Sequence, residues 1–214
     1  MTEFNKSNWA SAEFSRQYRD NADIFVVERR RMFGLLASFY NHFLRGKPTR
    51  ILDLGCGDGI LAHELLKVDD AISAVLVDGS ADMLGKARER LKDFKNVQFI
   101  NASFQEIIGK DILQPDFDFI VSSLAVHHLN MPEKISLFKS LYAHLSPGGF
   151  FLNIDVILAP SRSLEQWYLK LWQEWMDDRK AAFGVSDSLA TILSTGIRII
   201  RTTSLIHWMT SWMP

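Results

Sequence analysis

A single cysteine, Cys56, stands in a chain of 214 residues. No internal disulfide is possible, and no cluster of cysteine and histidine has the spacing of a structural zinc site, so a reducing compartment and no metal are expected. Long apolar runs are missing as well. None approaches the roughly 18 residues of a membrane span, and the opening Met-Thr-Glu-Phe-Asn-Lys-Ser-Asn lacks the basic-then-apolar pattern of a secretion signal. The expectation is a cytoplasmic protein with no membrane partner. An excess of charge of one sign is absent too: 24 Lys and Arg stand against 25 Asp and Glu, so no global field draws the chain to nucleic acid, which is not an expected partner. Proline is sparse, with 6 residues, and there is neither an internal repeat nor a low-complexity linker. At roughly 150 residues per domain the length fits one elaborated domain, and 47% hydrophobic with 23% charged residues is an ordinary globular composition.

Over residues 9–44 the apolar positions Phe14, Tyr18, Ile24, Phe25, Met32, Phe33, Leu36, Phe39, Tyr40 and Phe43 recur mostly at three- and four-residue spacings, which predicts amphipathic helix. Asn21 is the expected start of its second segment, and Gly46 with Pro48 the stop. The short basic run Glu28-Arg29-Arg30-Arg31 reads either as a solvated helix face or as a meeting point for an anionic substrate. After Pro48 the pattern changes. Nearly continuous apolar runs at 51–54, 72–77, 97–100, 117–121 and 150–158 alternate with helical patterns at 60–67, 81–94 and 134–145. Strands buried on both faces read this way, so a doubly wound α/β fold with a mostly parallel sheet follows. The implied organisation is an N-terminal helical cap over 1–47, a core over 48–158 and a C-terminal helix with an atypical tail over 159–214, all in one structural domain.

The most informative segment is Ile51-Leu52-Asp53-Leu54-Gly55-Cys56-Gly57-Asp58-Gly59, a strand running into glycines. Gly55, Gly57 and Gly59 let the backbone turn sharply and approach a ligand closely. The spacing is Gly-x-Gly-x-Gly, and Ile60 breaks the Gly-x-Gly-x-x-Gly fingerprint of pyrophosphate-binding turns. Asp53 is awkward beside a pyrophosphate but suits a ligand carrying an ammonium group.

These residues resemble motif I of the class I S-adenosylmethionine-dependent methyltransferases, and the likeness continues in the family's order through residue 158. The resemblance implies a Rossmann-like core with S-adenosylmethionine as cofactor and S-adenosylhomocysteine as product. About twenty residues past the loop, Val75-Leu76-Val77-Asp78-Gly79-Ser80-Ala81-Asp82-Met83 is similar to the family's second strand end. There Asp78 accepts the ribose hydroxyls, and Met83 lies against the adenine or, alternatively, fills core. Ala102, Ser103 and Phe104 follow the third strand. Ser103 stands where the family usually has an Asp that bonds the adenine amino group, so its hydroxyl takes the weaker form of that bond, with help from the backbone and Phe104. Ser122 in the fourth run borders the methionine moiety. The cofactor-binding set implied is therefore Asp53, Gly55, Cys56, Gly57, Asp78, Gly79, Met83, Ala102, Ser103, Phe104 and Ser122. Leu145-Ser146-Pro147-Gly148-Gly149 resembles the turn before the fifth strand.

Methyl transfer is an in-line displacement at a sulfonium, so alignment does most of the work and a base is optional. His127 and His128 follow the fourth strand, where an imidazole could take a proton near neutral pH. His127 is the candidate catalytic residue; the competing reading is a histidine that braces the strand-to-helix turn. Signatures of nucleic-acid methylation are absent, and the helical lid, together with a helix over 164–176 rich in Trp167, Tyr168, Trp172 and Trp175, could wall a pocket for a small organic acceptor or simply pack. The last thirty residues fit poorly. Charge over 185–214 is limited to Asp187, Arg198 and Arg201, and two readings stay open: a shortened sheet edge with strands at 197–202 and 205–212, or a tail produced by frameshift or truncation. An incomplete edge would invite a homodimer. A non-catalytic or tail-disabled S-adenosylmethionine-binding protein keeps the same binding residues. A nicotinamide-dependent oxidoreductase shares the sheet but lacks the pyrophosphate spacing.

Overall fold

The computed structural model describes residues 4, 7–110, 112–114 and 116–184. The two proposed strands of the tail, at 197–202 and 205–212, and its alternative readings lie outside the described residues. Contacts divide the chain into two units, one built from 1–20 and 29–155 and the other from 21–28 and 156–214.

The first unit is organised on a sheet of β1 (Arg50–Leu54), β2 (Ser73–Asp78), β3 (Val97–Asn101), β4 (Phe117–Ser123) and β5 (Leu145–Ile154), in the order β3-β2-β1-β4-β5. All four pairings are parallel. Alternation along the strands divides the core. Ile51, Leu76, Phe119 and Val121 join residues of α2 (Arg29–Phe43), α3 (Ile60–Val68) and α4 (Ala81–Arg90) in one buried cluster. Leu52, Leu54, Val75, Val77 and Ile120 join Ile107 of α5 (Phe104–Gly109) with Leu137 and Leu141 of α6 (Met131–Ala143) in the other. Both faces are therefore covered by helices, as parallel strands without polar alternation require. The chain runs from β1 outward through β2 to β3 and then returns to β4 beside β1. This reversal leaves a crevice beyond the carboxyl ends of β1 and β4, the place where open α/β sheets bind ligands.

Several boundaries differ from the sequence expectation, the helices expected at 81–94 and 134–145 among them, which run over Ala81–Arg90 and Met131–Ala143. Asn21 lies inside α1 (Ala12–Phe25) rather than opening a second helix; the break falls later, where Glu28 takes φ 52° and α2 begins at Arg29. The fifth strand starts at Leu145, not 150, and ends at Ile154, not 158. The turn-like Ser146-Pro147-Gly148-Gly149 is taken up as an irregularity within it, because the register jumps from Phe117↔Leu145 to Phe119↔Phe150. Gly148 there has φ 77°, and a Cβ on Gly149 would stand 3.0 Å from the carbonyl oxygens of Phe117 and Ser146.

In the second unit α7 (Arg162–Phe183) is longer than its apolar pattern suggested. Ser161 caps its start by accepting the Leu164 N–H, and Gly184 ends it at φ 65°. Two of its indoles are committed to backbone: Trp172 Nε1 donates to the Phe25 carbonyl at 2.7 Å and Trp175 Nε1 to that of Ile24 at 3.0 Å. No helix among the described residues is long and apolar enough to cross a membrane.

The glycine turn gives a stability test. Gly59 sits at φ 72°, and a Cβ there would meet Ala87 Cβ at 3.0 Å, so Gly59→Ala combines a left-handed backbone with a clash that no flexible side chain relieves. It is expected to cost about 1–3 kcal/mol. A methyl group on Gly85 in α4 would meet nothing within 4 Å, and Gly85→Ala is expected to add about 0.5–1 kcal/mol through helix propensity. Urea denaturation of the two variants checks both signs.

Candidate cofactor and acceptor site

The cavity at the carboxyl ends of the strands is built around the turn after β1. Gly55 N–H and Cys56 N–H both donate to the Val77 carbonyl, at 2.8 and 3.0 Å, which ties the turn to the end of β2. Asp78 completes the tie. One of its carboxylate oxygens accepts the Gly57 N–H at 2.8 Å and the other the Ser80 N–H at 2.7 Å. Gly57 at φ 55° leaves open space where a side chain would be, whereas a Cβ on Gly55 would fall 2.5 Å from Ala125 Cβ and 3.2 Å from the Phe104 ring. The first glycine therefore admits protein neighbours, and the second keeps backbone bare toward the cavity.

Of the predicted binding residues, Asp53, Gly55, Cys56, Gly57, Asp78, Gly79, Met83, Ala102, Ser103 and Phe104 all line this one cavity. Ser122 does not. It is wholly buried and donates from Oγ to the Leu54 carbonyl at 2.7 Å, bracing β4 against β1, while Ser123 and Leu124 take the place on the wall. Ser103 is largely occupied by its own helix: its Oγ accepts the Glu106 N–H at 3.3 Å, and Glu106 accepts in return the Ser103 N–H and hydroxyl at 3.0 and 3.1 Å. This is a capping box at the start of α5, and the Ser-x-x-Glu spacing made it legible. His127 is also off the cavity wall. Its Nδ1 lies 2.5 Å from Asp155, which also accepts the His127 backbone N–H at 2.9 Å. The neighbouring His128 lines the cavity instead, with its Nε2 accepting a hydrogen bond from Trp9 Nε1 at 3.0 Å.

The sequence reading missed part of the wall. Phe4, Trp9, Tyr18, Arg19, Arg29 and Phe33 all contribute to it. The helical spacing over 9–44 pointed to a wall, but only the fold shows which side chains turn inward. Trp9 is held edge-on by Phe14 and Tyr18 at 5.0 and 4.9 Å between ring centroids. Arg19 donates to Asp82 at 2.8 Å, and the Arg29 guanidinium stands 5.1 Å over the Phe33 ring.

Electrostatically the cavity has an excess of carboxylate. Asp53 is 1% exposed and accepts the Ala62 N–H at 3.2 Å. Burial, reinforced by Asp78 and Asp58, pushes its pKa up to about 7 against that hydrogen bond. Burial also raises Asp78, opposed by its bonds from Ser80 and Gly57, and lifts the Cys56 thiol well out of the reactive range. His128 is driven the other way, to about 3, by burial and by His127, so it is a neutral acceptor for Trp9. Two carboxylates that burial disfavours, facing one cavity, make a site that gains from a cation and from hydroxyl donors. A molecule with an ammonium group and a diol fits that donor set, and the bare turn at Gly57 gives it close approach.

A family profile described as "Methyltransferase domain" matches residues 51–149. A carboxy-S-adenosyl-L-methionine synthase of Helicobacter pylori (strain J99) is 30% identical over 76% of this chain and 71% of its own length. A malonyl-[acyl-carrier protein] O-methyltransferase of Halalkalibacterium halodurans is 31% identical over 50% of this chain and 39% of its own. Several of the curated relatives are matched over only about half their length, 52% and 57% in two further cases. Among solved structures, the plantazolicin methyltransferase BpumL in complex with S-adenosylhomocysteine superposes with a TM-score of 0.54 at 21% identity, covering 67% of this chain and 52% of that one, a likeness of fold.

The raised Asp53 carries a sign that can be measured. A folded-state pKa above the unfolded value of about 3.9 means that its stabilising share is complete below about pH 4 and is lost as pH rises through about 7. Asp53→Asn keeps an oxygen for the Ala62 N–H and does not ionise. Thermal unfolding from about pH 5 to 8 should therefore show the variant gaining on the parent as pH rises, by on the order of 1–3 kcal/mol at the upper end. A gap that stays constant with pH would contradict the assignment.

Proposed function

The chain belongs to the class I S-adenosylmethionine-dependent methyltransferase family, and on that premise we propose that it transfers the methyl group of S-adenosylmethionine to a small-molecule acceptor. The observation that carries this reading is the convergence of Asp53, Asp78 and the bare Gly57 turn on one cavity at the switch point of the sheet. The cofactor would supply, when bound, a methyl group already activated on a sulfonium for transfer to the acceptor.

The chain's own residues bind and align. Asp78 accepts the ribose hydroxyls on lone pairs left by the Gly57 and Ser80 amides, and Asp53 offers its carboxylate to the ammonium end. Gly55, Cys56 and Gly57 keep backbone against the ligand, Gly79 and Met83 with Ala102, Ser103 and Phe104 take the adenine, and Ser122 supports the methionine side through β1. The aromatic wall of Trp9, Tyr18 and Phe33 excludes water, which sharpens every charge interaction inside. Its aromatic character supports a small organic acceptor. The candidate base His127 lies off the cavity wall with its ring held by Asp155; the ring stands 4.1 Å, centroid to centroid, from that of the wall residue His128, and an acceptor that needs no base reacts by alignment alone.

Calorimetric titration with S-adenosylhomocysteine and S-adenosylmethionine tests this. Saturable binding of both is expected, weakened at least tenfold in Asp78→Ala and by less in Asp78→Asn, with no binding of NAD. A folded protein that binds NAD and neither sulfur ligand would overturn the proposal.

A further inference from the structure

The glycine at position 79 is not required by its backbone, which lacks the positive φ seen at Gly55, Gly57 and Gly59. A neighbour excludes the side chain instead. A Cβ on Gly79 would stand 2.6 and 2.7 Å from Cε2 and Cδ2 of the Phe4 ring, so the ring lies against backbone that the glycine leaves bare. Phe4 and Gly79 both line the cavity.

Phe4 is held there by its own turn and by two pins further along the chain. Its carbonyl accepts the Ser7 N–H at 2.9 Å and the Ser7 hydroxyl at 2.7 Å, and the chain passes directly into a short 3-10 helix, Asn8–Ala10. Trp9 in that helix donates to His128 at 3.0 Å. Arg19 of α1 donates to Asp82 at 2.8 Å and to the Met83 sulfur at 3.7 Å, which ties the segment to the first turn of α4. The segment therefore touches two of the residues that hold the adenine on the methyltransferase reading, Gly79 through Phe4 and Met83 through Arg19.

An adenine placed there has little to gain at its edge from Ser103. The Ser103 hydroxyl donates to the Glu106 carboxylate and accepts the Glu106 N–H, so its proton is already committed. A base held weakly at its edge depends on its faces, where an aromatic ring supplies stacking as well as apolar cover.

We propose that Phe4 is a further donor-binding residue, whose ring stacks on the adenine of S-adenosylmethionine beside Gly79. The inference rests on the methyltransferase reading of the cavity, and the test separates the two.

The full chain and its Phe4→Ala, Phe4→Leu and Phe4→Tyr variants are titrated calorimetrically with S-adenosylhomocysteine, and the thermal midpoint of each is measured without ligand. Phe4→Ala should weaken binding by at least about fivefold, Phe4→Leu should recover only part of the loss, and Phe4→Tyr should stay within about twofold of the parent. Isotope-filtered NMR of the parent complex should show nuclear Overhauser contacts from adenine H2 or H8 to a phenylalanine ring that vanish in Phe4→Ala. Where a variant's midpoint falls, this contact decides. Unchanged affinity in Phe4→Ala, full recovery in Phe4→Leu or absence of the contact overturns the stacking role. So does tighter binding in Phe4→Ala, which would place the ring in the adenine's space rather than over it. A folded parent that does not bind S-adenosylhomocysteine overturns the methyltransferase reading itself.

Discussion

The tie between the end of β2 and the turn after β1 is the constraint from which the site follows. Val77 offers one carbonyl to two successive amides, and Asp78 offers a carboxylate to the Gly57 amide. The turn is thereby held open, with its N–H groups either satisfied or presented to the cavity. Those bonds need β1 and β2 in register, which the parallel pairing of Asp53 with Leu76 and Leu54 with Val77 supplies. That register in turn is fixed by which apolar residues face which helical layer, since a slip of one residue would exchange the two cores.

The same tie explains the electrical character of the cavity. Asp53 and Asp78 stand at the ends of adjacent strands, Asp53 almost wholly buried and Asp78 partly so. Their backbone hydrogen bonds stabilise the charged forms, yet desolvation outweighs them in both. Leaving such groups buried costs stability, and folds keep that kind of strain where a ligand relieves it. A cationic cofactor with a diol relieves it twice, once at each carboxylate. The neutral His128, bonded to Trp9, adds no competing positive charge beside them.

Much of this was legible in the sequence because strand burial and glycine turns act over short distances. The five runs of apolar residues located the strands, and Asp53, Gly57 and Asp78 identified their own cavity. What the sequence did not carry was determined by contacts between distant segments. The fifth strand begins early because the backbone at Pro147 to Gly149 can bulge and still pair with β4, which local turn chemistry cannot reveal. Asn21 reads as a helix start by residue type, but the break came where Glu28 adopts a left-handed backbone. Ser103 was read by its place in the family pattern, while its own Ser-x-x-Glu spacing held the competing answer. Of the two adjacent histidines, the choice between wall and brace depended on Asp155, which lies 28 residues further on.

The N-terminal helical segment shows how acceptor selectivity can vary while donor binding stays fixed. The donor residues sit at strand ends, where the sheet's register holds them and any shift would disturb both cores. Trp9, Tyr18, Arg19, Arg29 and Phe33 sit instead on helical segments outside the sheet, and they reach the cavity only through side chains. Changing one of them alters the wall without moving Asp53 or Asp78. The chemistry favours that division of labour: a sulfonium carries its own activation, so the protein's remaining task is to choose what is held in line with it. In this chain the wall on that segment is largely aromatic, built by Trp9, Tyr18 and Phe33, on a part of the structure that lies outside the sheet.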